Sequence, residues 1–155
     1  MKPFIKTVLL TGLLAGLLDI ISAYVTVYLK TGQFASKMFQ YIAGGALGLE
    51  ASMKGGTAVI ILGIFFHFFI AFLFTLFYFS IYRNARLALV NKYIAGLGYG
   101  IFVWVVMNLM VLPLSMLPAT TIKWSNAVIG LSVLVVMVGM PIAISANRYF
   151  KREKI

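Results

Sequence analysis

IKTVLLTGLLAGLLDIISAYVTVYL, residues 5–29, decides the fold. It is apolar over about 25 residues, apart from Lys6 at its edge and Asp19 within it. A run of that length crosses the hydrocarbon of a bilayer as a tilted helix. Asp19 falls near the middle of the crossing. A charged side chain there costs roughly 2.5–3.5 kcal/mol on insertion scales, so its presence points to a functional site with a partner.

The rest of the chain agrees with a membrane reading. Of its 155 residues, 63% are hydrophobic and 10% charged, more apolar surface than a soluble domain of this size can hide. Further apolar runs at about 57–82, 93–112 and 126–147 each reach spanning length. The sequence thus predicts an all-α, integral membrane four-helix bundle, a single membrane domain over residues 1–155. Pro113 is expected to end the third span, and Ser125 or Asn126 to cap the fourth. Lys2 and Lys6 ahead of an apolar stretch, with Ser22-Ala23 beyond it, have the outline of a signal peptide. Asp19 just before that site, and an apolar run continuing to Leu29, favour a retained first span instead. Between the first two spans, residues 31–56 are too polar and glycine-broken to cross. FASKMFQYIAGGALG (34–48) predicts a short helix there, interfacial or re-entrant.

Charge sets an orientation. Thirteen basic residues stand against three acidic ones. Lys2, Lys6, Arg83, Arg86, Lys92, Arg148, Lys151, Arg152 and Lys154 fall at one end of the spans, and Lys30, Lys37, Lys54 and Lys123 at the other. The positive-inside rule then places both termini in the cytoplasm. Bases at the ends of apolar runs answer to topology and to anionic lipid headgroups, so lipid is the expected partner and nucleic acid is not. The absence of cysteine excludes disulfides and thiol chemistry.

At about 100° per residue, Gly12, Gly16, Asp19, Ala23 and Thr26 share one stripe of the first span. Small residues on a stripe let another helix approach closely, in the same subunit or in a second copy, so a homo-oligomer is an expectation. On the second span Gly63, His67, Ala71 and Phe74 share a face, with Phe65, Phe68, Phe69, Phe72 and Phe79 expected toward lipid. Gly12, Gly16, Gly63 and Ala71 are therefore the candidate helix-packing residues. Asp19 and His67, the chain's one histidine, each lie ten residues from the same end of their spans, roughly 15 Å deep. Asn108, with Trp104 on its side of the third span, completes a candidate polar cluster. Gly96, Gly98 and Gly100 are expected to loosen the other half of that span. In the fourth, Pro141 frees the carbonyl of Met137, and Gly139 with Pro141 forms a candidate hinge.

An intramembrane carboxylate and imidazole at equal depth suit a proton path, hence proton-linked transport or a channel. The alternative is a non-catalytic scaffold or assembly factor in which the pair only fixes helix packing. Catalysis is not expected: the chain has no GxSxG elbow and no HExxH. One aspartate and one histidine make a poor metal site, and a lone histidine a poor haem site, so neither metal nor cofactor is expected.

The segments GLLAGLLDIISA (12–23), FQYIAGGALGLEASMKGG (39–56), GIFFHFFIAF (63–72) and YGIFVWVVMNLMVLPLS (99–115) resemble a group of small bacterial four-span inner-membrane proteins of unknown function, loosely the YagU-like group. The resemblance implies a bacterial cytoplasmic-membrane protein. It supplies no substrate and no catalytic residue.

Overall fold

The computed structural model describes residues 3–32, 35–82, 87–118 and 124–152. Four of its helices are long and apolar enough to cross a membrane: α1 (Pro3–Thr31), α4 (Thr57–Ile81), α5 (Lys92–Leu114) and α6 (Trp124–Arg152). Two short helices, α2 (Ala35–Leu47) and α3 (Leu49–Lys54), join α1 to α4. No strand occurs among the described residues. The cause is the solvent: hydrocarbon offers no hydrogen bonds, so an apolar run must satisfy its backbone within itself, as a helix does. The chain is a multi-pass membrane protein.

Helix α1 packs on α4 and α6, and α6 packs on α5. Close backbone approach between α4 and α5 is sparse; aromatic pairs bridge them instead, with Phe77 stacked on Phe102 at 5.6 Å and Tyr78 against Tyr99 at 4.5 Å. The start of α1 meets the end of α6, where the Phe4 ring lies edge-on to Tyr149 at 5.8 Å. The start of α1 and the end of α6 therefore share one end of the bundle, the terminal end. Helices α2 and α3 occupy the other, the loop end. Lys6, Lys92, Arg148, Lys151 and Arg152 lie toward the terminal end, and Lys30, Lys37 and Lys54 toward the loop end. Lys2, Arg83, Arg86, Lys123 and Lys154 fall outside the described residues.

The core belongs to the terminal half. Val8, Ala15, Tyr78, Phe79, Tyr82, Tyr99, Val103, Val138, Ile142, Ala143 and Ala146 form one buried cluster. Tyr82 stacks on Phe150 at 4.8 Å, and its hydroxyl accepts a 2.9 Å hydrogen bond from Asn147 Nδ2. Glycine permits the closest crossing. A Cβ on Gly139 would lie 2.7 Å from the nitrogen and 2.9 Å from the Cα of Gly100, and one on Gly96 would lie 3.1 Å from the Cα of Met140. Gly96 and Gly100 therefore tighten this half of α5, contrary to the expectation that they loosen it. Of the three α5 glycines Gly98 alone faces open space.

The phenylalanines of α4 divide differently from the expected lipid stripe. Phe65 and Phe69 are exposed. Phe79 is 1% exposed, inside the core. Phe68 and Phe72 cover Gly16 and Gly12: a Cβ on Gly16 would stand 2.9 Å from Phe68 Cδ1 and 3.3 Å from the Ala71 methyl. The glycine stripe is thus used inside the subunit, with large rings filling the space the small residues leave. Gly63 serves another neighbour, since the backbone of Phe39 in α2 lies directly over it. Helix α2 runs on to the end of α5, where Met116 N–H donates to Gly45 O at 2.9 Å.

Pro113 and Pro141 each sit just past a widened turn. Residues Met107–Val111 of α5 and Leu134–Gly139 of α6 are π-helical, and each stretch ends two residues before a proline, Pro113 or Pro141. A proline ring collides with the carbonyl four residues earlier, and a π turn moves that carbonyl aside. The third span therefore continues past Pro113 to Leu114 rather than ending at it. Ser125 and Asn126 lie within the first turn of α6, not ahead of it.

Candidate functional site

In the loop half the four spans separate around a cavity of about 740 Å³. Gly16, Val103 and Val138 form its floor, and Lys30, Leu112 and Asn126 lie at its mouth. From Gly16 to Lys30 the axial distance is roughly 20 Å. Below the floor comes the aromatic core, and Tyr99 ties it shut by donating its hydroxyl to Phe74 O at 2.5 Å.

Asp19, His67 and Asn108 all line it. His67 reaches across the α1–α4 crossing, its Nε2 2.9 Å from Gly16 O. A carbonyl oxygen only accepts, so Nε2 carries the hydrogen and donates it. Gly16 makes that bond reachable, because its missing side chain lets α4 come close. Asp19 stands one helical turn beyond Gly16 on the same face, near enough for its charge to interact with His67. The two do not form a salt bridge: among the described residues the one ion pair is Lys54–Glu50, exposed at the loop end. Carboxyl and imidazole thus share the cavity while the imidazole is anchored on backbone.

Asn108 lies in the π turn of α5. Its Nδ2 donates to Trp104 O at 2.8 Å, a carbonyl that also accepts from the Met107 N–H. Its amide oxygen is uncommitted among the described residues. At the mouth, Lys30 Nζ donates to Asn126 Oδ1 at 2.8 Å and joins α1 to α6. In the sequence Asn126 reads only as a cap and Lys30 only as a base at one end of the spans. No periodicity links residues so far apart in the chain.

Gly139 and Pro141 straddle the end of the α6 π turn below the cavity, and Val138 of that turn belongs to the cavity floor. Among the described residues no three histidine, aspartate or glutamate side chains come together as metal ligands would. No family model, no curated protein and no solved structure matches the chain.

Proposed function

We propose that the protein is a proton-linked carrier, with the four-helix cavity as its binding site. One observation supports this above the rest: Asp19 and His67, the acid and the imidazole within the spans and both half-buried, line a single cavity whose inner end meets the packed aromatic cluster. A lone carboxylate among apolar spans is costly, so in this reading the site trades one load for another, a proton for a solute. A solute that satisfies the carboxylate releases that proton, and the two loads then exchange at one place. Alternating access would require the Tyr78–Tyr99 plug to part while the mouth at Lys30 and Asn126 closes. In this reading the protein is bacterial and lies in the cytoplasmic membrane with its terminal end inside, its basic residues against anionic headgroups.

The hydrogen bond from His67 to Gly16 O favours a second reading, a scaffold in which the imidazole only fixes the register of α1 and α4. Vesicles loaded with a pH dye separate the two. Wild-type protein should carry a proton flux above that of empty vesicles, and Asp19→Asn should abolish it without lowering the thermal midpoint. A folded wild type with no flux across a panel of solutes removes the carrier. The scaffold then stands if His67→Ala lowers the midpoint and Asp19→Asn does not.

A further inference from the structure

A second cavity of about 390 Å³ adjoins the first. It lies in the seam between α4 and α5, roofed by α2, and Ile42, Ile70, Met107 and Leu112 line both cavities. Its remaining wall is almost wholly apolar, with Phe66, Val111 and Leu117 among its members. Two of its residues, Tyr41 and Leu114, are 39% and 83% exposed on the flank of the bundle. That flank faces acyl chains when the spans are in a bilayer. The seam is loose at this level because the aromatic bridges between α4 and α5 lie lower, at Phe77–Phe102 and Tyr78–Tyr99. The π turn of α5 begins at Met107, in the shared wall itself.

Charge distinguishes the two chambers. Among the described residues lining the larger one, Asp19 is the one acid, and Trp104 and Phe74 add aromatic surface, which attracts cations. The smaller chamber holds no charged residue. Lys30 at the aqueous mouth opposes the entry of a cation from water. An entrant from the flank avoids it.

We propose that the two cavities form one site for an amphiphilic organic cation, which enters sideways between α4 and α5, sets its charged head by Asp19 and leaves its apolar tail in the smaller chamber. This names a ligand class for the carrier proposed above, yet binding can be tested without transport. Trp104 is a built-in reporter, since it lines the larger cavity. The other tryptophan, Trp124, is 84% exposed and reports partition into the bilayer.

The experiment uses Trp124→Phe protein in lipid nanodiscs, titrated with ω-bromododecyltrimethylammonium, whose bromine quenches tryptophan. Trp104→Phe protein supplies the partition baseline. Trp104 should be quenched saturably, with affinity falling about tenfold or more in Asp19→Asn and surviving in Asp19→Glu. ω-Bromododecanoate should quench Trp104 no more than it quenches Trp124. Tetramethylammonium, a head without a tail, should compete poorly. Ala46→Phe, which fills the smaller chamber, should weaken the long-chain cation. Equal quenching by the carboxylate, or an affinity unchanged by Asp19→Asn, overturns the cationic head site. Effective competition by tetramethylammonium, or indifference to Ala46→Phe, overturns the tail chamber. Should Asp19→Asn not fold, the two bromo probes on Asp19→Glu and Ala46→Phe decide the matter. Saturable quenching without proton flux in vesicles would retain the ligand site and reject the carrier.

Discussion

The terminal and loop halves of the bundle are built from the same four helices and end differently. In the terminal half, glycines at 96, 100 and 139 bring α5 and α6 backbone to backbone, and rings from Phe79, Tyr82 and Tyr99 fill what remains. In the loop half the helices stand around 740 Å³ of space. Lipid supplies no hydrophobic drive between helices, so they adhere only where their surfaces fit. The loop half lacks the fit for two reasons. Its π turn widens α5 over Met107–Val111, just ahead of Pro113. Its small polar side chains turn back on their own helices, as Ser22 does to Leu18 O, Thr26 to Ser22 O and Ser132 to Val128 O, so they join nothing across the gap. Packing holds one half together. A few long-range polar bonds, His67 to Gly16 and Lys30 to Asn126, hold the other.

The largest expected effect tests that contrast with a single methyl group. Gly139→Ala puts a Cβ within 3 Å of the Gly100 backbone, where neither helix can yield without parting from the other. The cost should be about 2–3 kcal/mol, read as a fall in the detergent thermal midpoint. Gly130→Ala, on the cavity wall, meets only Trp104 Nε1 at 3.6 Å. It should be neutral, or gain up to about 1 kcal/mol from helix propensity. Equal losses at both positions would mean that the halves do not differ in packing.

How far the sequence carries this contrast depends on the helix. Span positions are legible because hydrocarbon thickness sets a length that composition must meet, and the residue 5–29 run lies inside Pro3–Thr31 as read. The α1 stripe is legible because Gly12 and Gly16 are small among leucines. Helix α4 is apolar all round, so no moment marks its inner face. Phe68, Phe72 and Phe79 therefore read as lipid-facing, although each has a partner inside the protein. Their placement comes from shape, large opposite small, and a single chain's hydropathy does not carry that pairing. Asp19 and His67 were legible as neighbours in depth. The acceptor of the histidine was not, because Gly16 O is backbone and leaves no mark in residue identity. The prolines signalled disturbed helices at 113 and 141, but not that widened turns would let both continue.

An intermediate effect compares one hydrogen bond in each half. Tyr99→Phe removes the donor to Phe74 O at the cavity floor, and its loss should be about 1 kcal/mol. His67→Phe removes the bond to Gly16 O and should cost nearer 0.6 kcal/mol, the usual value for polar contacts between membrane helices. Thermal midpoints of both variants, measured in one detergent, rank them. A larger loss at His67 would shift the structural weight to the loop half and favour the scaffold reading.

The smallest effect concerns Tyr78, at the centre of the packed half. Its side chain is 1% exposed, and its hydroxyl has no hydrogen-bond partner among the described residues. The ring is well held, 4.5 Å from Tyr99 and 6.0 Å from Tyr82. Tyr78→Phe keeps that packing and deletes a polar atom already stripped of solvent. Where Tyr99→Phe destabilises, Tyr78→Phe should be neutral or stabilise by up to about 1 kcal/mol, because an unmet buried hydroxyl is a cost that the variant removes. Two tyrosines whose rings touch would then answer the same substitution with opposite signs. That difference can only come from the hydroxyls, since the ring contact is common to both. A loss at Tyr78 equal to that at Tyr99 would mean the hydroxyl is satisfied by water inside the plug. The terminal half would then be wet, and its difference from the loop half would be one of degree.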